Sequence, residues 1–119
     1  MRTFTRALIV VAALGVTATA HATSDDTNGY NEIARGDYAA AEKLLTQEMK
    51  QFPADADLAI NLAAVYVHQG RLSEARALYN DVMSRPNDLL DLAADKSMWS
   101  HDLAAAGLAR IGRFQVTAR

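Results

Sequence analysis

The feature of this sequence that most constrains its fold is a spacing of 34 residues. Glycines, small residues and bulky side chains follow one another in a pattern that returns after 34 positions. The seven matched positions are Gly29, Gly36, Asp37, Tyr38, Ala41, Leu45 and Glu48 in the first copy and Ala63, Gly70, Arg71, Leu72, Ala75, Tyr79 and Val82 in the second. A fixed period of this length is typical of stacked repeats rather than of one irregular core.

Each copy contains two segments with helical spacing of apolar residues. A short helix is predicted over residues 28–35, and Tyr38–Gln51 has an apolar face opposite lysines and ends before Pro53. The segment Asp57–Gln69 is apolar on most sides, which predicts a middle helix packed between two neighbours. Leu72–Ser84 is again amphipathic. The repeated unit is therefore a pair of helices.

The period and the paired helices resemble the tetratricopeptide repeat. The second copy carries the family's pattern on both helices, at Leu62, Ala63, Tyr66, Ala75 and Tyr79. The first copy keeps Gly29, Gly36, Tyr38, Ala41, Leu45 and Pro53 but departs at Asp25, Asn28 and Glu32, so we expect a shortened first helix. The resemblance covers about residues 28–87. It implies an all-α fold with about two repeats, residues 28–53 and 56–86, in a short right-handed solenoid.

Short repeat arrays need a cap over the exposed end, and we assign this role to residues 87–112. Ser100 is the predicted N-cap of a capping helix over His101–Ile111, and Gly112 is its predicted end. Residues 113–119 are predicted to form a loose tail. The repeat-containing domain thus spans residues 28–112.

The segment before the capping helix has two interpretations. Apolar residues at Leu89–Leu92 and at Met98 and Trp99 flank a polar stretch, Asp95-Lys96-Ser97, which permits a small β-hairpin or a helical turn with an extended loop. The hairpin is our first choice. We interpret Trp99 as a plug over the end of the solenoid, with an exposed interface anchor as the alternative.

The first 22 residues have the parts of a secretory signal peptide. Arg2 and Arg6 give a basic start, residues 7–16 are apolar, and Ala20-His21-Ala22 supplies the small residues of a cleavage site. We predict cleavage after Ala22, a flexible N-terminus at residues 23–27, and a periplasmic or secreted mature protein. An uncleaved anchor is the weaker alternative, because a membrane-spanning helix needs roughly 20 apolar residues. The chain has no Cys, which excludes disulfides and lipid-modified cysteine.

Charge excludes two classes of partner. Removal of residues 1–22 takes away two arginines and no acid, which leaves 10 basic and 14 acidic side chains and a net charge of −4. Nucleic acids and anionic membranes attract clustered Lys and Arg. We therefore expect no nucleic-acid partner and no stable membrane insertion after cleavage.

Catalytic and metal-binding motifs are absent from the sequence. Ser100, His101 and Asp102 have the residue types of a catalytic triad, but adjacent helical residues point about 100° apart and cannot align. After cleavage only His68 and His101 remain as histidines, without metal-ligand spacing. We predict that the protein is not an enzyme and needs no cofactor or metal.

The resemblance also implies a binding surface, because the first helix of each repeat lines the concave groove in this family. The implied partner-binding residues are Asp57, Ile60, Asn61, Ala64, Val67 and His68. Asn61 lies where such proteins often hold a peptide backbone or terminal carboxylate, but Asp26 and Tyr30 stand where that site would have a Lys and an Asn. A solvated role near a helix end is the alternative for His68.

We therefore predict a non-catalytic interaction module of the cell envelope that binds a protein or peptide partner through this groove. The alternative is a self-associating assembly protein whose short array completes its core in a homo-oligomer, with Leu108 and Ile33 as end residues.

Overall fold

The computed structural model describes residues 28–92 and 95–117. The predicted signal peptide, its cleavage site and residues 23–27 lie outside the described residues. The elements, in chain order, are α1 Tyr30–Ala34, α2 Tyr38–Gln51, α3 Ala56–His68, α4 Leu72–Ser84, β1 Leu89–Leu92, β2 Lys96–Trp99 and α5 Ser100–Thr117. The predicted bounds of α2 and α4 are confirmed, and α3 begins and ends one residue before its predicted bounds.

The turns at the ends of α1 and α3 repeat the same hydrogen bonds 34 residues apart. Asp37 N–H donates to the carbonyl of Glu32, and Arg71 N–H donates to the carbonyl of Tyr66, both at 2.8 Å. Between them, Gly36 and Gly70 have φ values of 73° and 74°. This left-handed conformation favours glycine, because glycine has no Cβ. The sequence period therefore reflects a repeated backbone geometry.

Helix α3 is the centre of the domain, as its apolar sequence predicts. It packs against α2 on one side and α4 on the other, and α4 packs in turn against α5. The buried positions of α3 are Ala56, Leu58, Ala59, Ile60, Asn61, Leu62, Ala63 and Val65. Because these residues point to both sides, α3 contributes to two core clusters, one with α1 and α2 and the other with α4, α5 and β1.

The segment after α4 forms the predicted β-hairpin. Strands β1 and β2 pair antiparallel, with Leu89 opposite Trp99 and Leu92 opposite Lys96. Successive side chains of a strand point to opposite faces. Leu92 is buried on the inner face, whereas Leu89 and Trp99 are 57% and 47% exposed on the outer face. The interpretation of Trp99 as a buried plug is therefore wrong, and Leu92 covers the core instead.

Helix α5 differs from its prediction at both ends. Ser100 is not its N-cap: the Ser100 Oγ accepts a hydrogen bond from Asp88 N–H at 3.0 Å, and the Asn87 side chain accepts one from His101 N–H at 3.0 Å. The helix also continues past Gly112 to Thr117.

Contacts of the final turns account for the additional length of α5. The Arg76 guanidinium on α4 donates to the Gln115 side chain at 2.7 Å, and the Arg110 guanidinium lies 5.6 Å from the centre of the Phe114 ring. Residues 113–117 are therefore helical where a loose tail was predicted.

Candidate functional site

The candidate site is the surface formed by α3 together with α5 and the start of α2. Although α4 and the hairpin separate them in sequence, α3 and α5 contact each other directly. The capping helix α5 therefore lies beside the first helix of the second repeat. Residues of α3 spaced three and four apart share the face beside α5.

The six implied binding residues fall into two groups. Asp57, Ala64 and Val67 are partly exposed, and His68 is exposed at the end of α3. These four residues follow one strip of the helix. By contrast, Ile60 and Asn61 are buried, at 4% and 0% exposure, and differ from the groove-facing position that the resemblance implies.

Asn61 links the two repeats inside the molecule. Its Nδ2 donates a hydrogen bond to the backbone carbonyl of Asn28 at 3.0 Å. Its Oδ1 is also buried and has no hydrogen-bond partner in the described part of the chain. Asn28 lies two residues before the first residue of α1, so this contact holds the start of the short first helix against α3. A buried amide of this kind supports the fold rather than presenting a hydrogen-bonding group at the surface.

His68 forms an aromatic pair at the end of the strip. Its ring stacks on Tyr38 of α2, with 4.6 Å between ring centres and 9° between ring planes. Although His68 as a whole is exposed, partial burial of its ring lowers its pKa, and the positive charge of Arg110 on α5 lowers this pKa further. The imidazole is therefore neutral at neutral pH and presents a ring edge with one donor and one acceptor nitrogen. Tyr38 and Arg110 extend the site beyond the residues predicted from the sequence.

A polar network stabilises the turn beside this pair. The Arg71 guanidinium donates to Glu74 at 2.6 and 2.9 Å and to Glu42 of α2 at 2.7 Å, and its Cζ lies 4.2 Å from the centre of the Tyr66 ring. Hydrogen bonds from Arg71 and then from Gln69 lower the pKa of Glu42. These charge-assisted bonds fix the α3–α4 turn on α2 and so set the position of the His68 end of the site.

The sequence contained a signal for part of this arrangement. Tyr38 belongs to the 34-residue pattern, but the pattern alone does not show which side chain it meets. Arg110 lies outside the pattern, because the hairpin separates α5 from the repeats. Its position near His68 depends on how α5 packs, which the sequence spacing does not specify.

The side chains of Ser100, His101 and Asp102 do not converge. Ser100 is buried against Asp88, whereas the His101 Nε2 donates to the carbonyl of Arg85 at 2.7 Å. Within residues 28–92 and 95–117, no group of three or more His, Asp or Glu side chains could hold a metal ion. The described helices also include none that is long and apolar enough to cross a membrane.

Comparison with known protein families agrees with the geometry. The family model described as tetratricopeptide repeat matches residues 32–94, which is just over half of the chain. No curated protein and no solved structure matches the chain. The matched residues include α2, α3, α4 and β1, and they contain every position of the 34-residue pattern except Gly29.

Proposed function

We propose, from the premise that this chain belongs to the tetratricopeptide repeat family, that it binds a peptide or protein segment along the exposed strip of α3. Repeats of this family generally mediate protein–protein interactions and typically act as non-catalytic modules. The proposal extends this general role to one surface, defined as the α3 strip: Asp57, Ala64, Val67 and His68.

The observation that carries the proposal is the geometry of this strip. Ala64, between Asp57 and Val67, is partly exposed and has a small side chain, so a partner can approach the helix backbone closely there. At one end of the strip, the rings of His68 and Tyr38 stack on each other. A preorganised aromatic pair loses little conformational freedom when a partner binds, and such pairs contribute strongly to interfaces.

The proposed place of action is the cell envelope. Support comes from the basic start, the apolar run and the Ala20-His21-Ala22 cleavage pattern. Export predicts that the mature protein begins at Thr23. Mass spectrometry of the protein from the periplasm or the medium of a bacterial host tests this, and an intact N-terminus would contradict it.

An affinity capture tests the binding surface. Tagged protein is incubated with a native periplasmic extract, beside the variants His68→Ala and Ala64→Gln. The first removes the ring, and the second places a bulky side chain where a partner would approach the helix. We expect enriched partners to fall at least about tenfold with either variant, because His68→Ala truncates an anchor residue and Ala64→Gln blocks close approach. The experiment does not use Asn61→Ala, because that side chain is buried and its loss affects folding.

Lys43→Ala is the matched control. Lys43 is exposed on α2 and does not belong to the α3 strip, so it should retain every partner that the unmodified protein captures. Circular dichroism establishes that all variants are folded. Equal capture by the His68→Ala and Ala64→Gln variants would contradict the α3 strip as the binding surface.

A further inference from the structure

Exposed apolar side chains are concentrated in the C-terminal part of the described chain. The large hydrophobic residues that are at least 40% exposed are Met83, Leu89, Met98, Trp99, Phe114 and Val116. All of them belong to the end of α4, the hairpin or α5, and none lies between residues 28 and 82. This part of the described chain is therefore the first place to look for an interaction surface.

Helix α5 has an outer face with few charges. The exposed residues on this face are Asp102, Ala105, Ala106, Ala109, Arg113 and Val116. Apart from the adjacent Ala105 and Ala106, successive members lie three or four residues apart. The opposite face carries the buried Ala104 and Ile111. The exposed face of α2, by comparison, carries Lys43 and Lys50. A helix that ends a repeat array normally faces solvent with polar residues, so the face of α5 is unusual for a cap.

We propose that this outer face binds the same face of a second copy of the chain, with the two α5 helices antiparallel about a two-fold axis. The axis passes midway between Ala106 and Ala109, so that Ala106 of each copy lies opposite Ala109 of the other. Small side chains at this level let the two helices approach closely.

The charges on the face are self-complementary in this register. Asp102 lies four residues before Ala106, and Arg113 lies four residues after Ala109. Each Asp102 therefore stands opposite an Arg113 of the second copy, once on either side of the axis. A parallel arrangement would instead place each charge opposite its own kind. The charge pattern thus selects an antiparallel second copy.

The same register brings two exposed apolar side chains to the ends of the interface. Trp99, the last residue of β2, directly precedes α5, and Val116 lies seven residues after Ala109 on the α5 face, so Val116 of one copy lies level with the start of α5 of the other. These two side chains are 47% and 75% exposed in the single chain. Spacings of four and seven residues are those of a coiled-coil seam, in which side chains of one helix pack between those of the other. An isologous interface of this kind closes with two copies.

Sedimentation of the full chain over a range of protein concentrations tests the proposal. We expect the mass to rise to twice that of the single chain as the concentration increases. The variants Asp102→Arg and Arg113→Asp each place like charges opposite each other, and we expect either change to weaken dimerisation at least tenfold. The double variant Asp102→Arg/Arg113→Asp restores opposite charges and should restore dimerisation.

Restored dimerisation in the double variant distinguishes this interface from other causes of association. Lys43→Asp on α2 is the control for a change of charge alone and should dimerise normally. Association through the apolar residues 7–16 would not respond to charges on α5. A single chain at all concentrations, or a double variant as weak as the single variants, would overturn the proposal.

Disulfide formation tests the register independently, because the chain has no cysteine of its own. A mixture of Ala106→Cys and Ala109→Cys proteins should cross-link under mild oxidation at least tenfold faster than either protein alone. Equal rates in the three samples would contradict the antiparallel register.

Discussion

Gly29 and Gly107 are the glycines against which the second helices of the two repeats place their bulky side chains. Leu45 on α2 and Tyr79 on α4 occupy equivalent positions 34 residues apart. A Cβ on Gly29 would lie 3.1 Å from Leu45 atoms, whereas a Cβ on Gly107 would lie 2.3 to 2.6 Å from Tyr79 ring atoms. Gly29 also has a φ of 74°, and Gly107 lies in helix α5 without a positive φ.

The difference shows two separate reasons for glycine at a junction between packed helices. At Gly29 the left-handed backbone disfavours a side chain before packing is considered, and the neighbouring Leu45 can adjust its rotamer. At Gly107 the backbone has an ordinary helical conformation that suits alanine, but a Cβ there would clash with the rigid Tyr79 ring. The need for glycine at the C-terminal junction, Gly107 against Tyr79, therefore comes from side-chain packing. At the N-terminal junction, Gly29 against Leu45, it comes mainly from backbone conformation.

The largest expected effect is at the C-terminal junction. Gly107→Ala places a methyl group inside the space of the Tyr79 ring, which must move with α5. We expect a loss of about 2–3 kcal/mol in the free energy of unfolding, despite a gain of up to about 1 kcal/mol in helix propensity. Urea denaturation followed by circular dichroism measures the change.

Gly112→Ala is the matched control, because a Cβ on Gly112 meets nothing within 4 Å. This variant should be as stable as the unmodified protein or more stable, by up to about 1 kcal/mol. The double variant Gly107→Ala/Tyr79→Leu replaces the ring with a smaller, flexible side chain and should lose less stability than the sum of the two single variants. Equal stability of Gly107→Ala and Gly112→Ala would contradict the packing argument.

A smaller effect is expected at the N-terminal junction. Gly29→Ala introduces a left-handed alanine and displaces Leu45, with an expected loss of about 1–2 kcal/mol in unfolding free energy. Gly36→Ala has the same backbone cost, since its φ is 73°, but meets nothing within 4 Å. The difference between the two variants in urea denaturation isolates the Leu45 contact. If Gly36→Ala were the more damaging change, the Leu45 contact would have no measurable role.

Much of this architecture follows from the sequence alone. The 34-residue period fixes α2, α3, α4 and their glycine turns, because each turn needs a left-handed residue at the same place. The shortened α1 follows from the polar residues Asn28 and Glu32, which stand where large apolar side chains would extend the helix. The tetratricopeptide repeat family and the helical fold were therefore predictable from local patterns.

Other features depend on contacts between distant residues. The period does not reach α5, so its packing against Tyr79 and its length past Gly112 could not be predicted. Asn61 lies at a position that faces the groove in the family, but here its amide meets the carbonyl of Asn28, 33 residues away. Trp99 lies on the outer face of the hairpin, because the pairing with Leu89 decides which face it occupies.

The smallest expected effect is the pH dependence that arises from His68, which lies near the positive charge of Arg110. Burial, followed by the charge of Arg110, lowers the pKa of His68 in the folded protein below its ordinary value of 6.5. The unfolded chain therefore binds a proton more readily, and the free energy of unfolding should fall as the pH drops below about 6.5. Above that pH the contribution of His68 to the free energy of unfolding is constant.

His68→Gln should remove this pH dependence from the free energy of unfolding, measured by urea denaturation between about pH 7.5 and pH 5.5. His101→Gln, which retains the Tyr38 and His68 stack, should keep it. Identical pH profiles for the unmodified protein and His68→Gln would contradict the proposed environment of the ring.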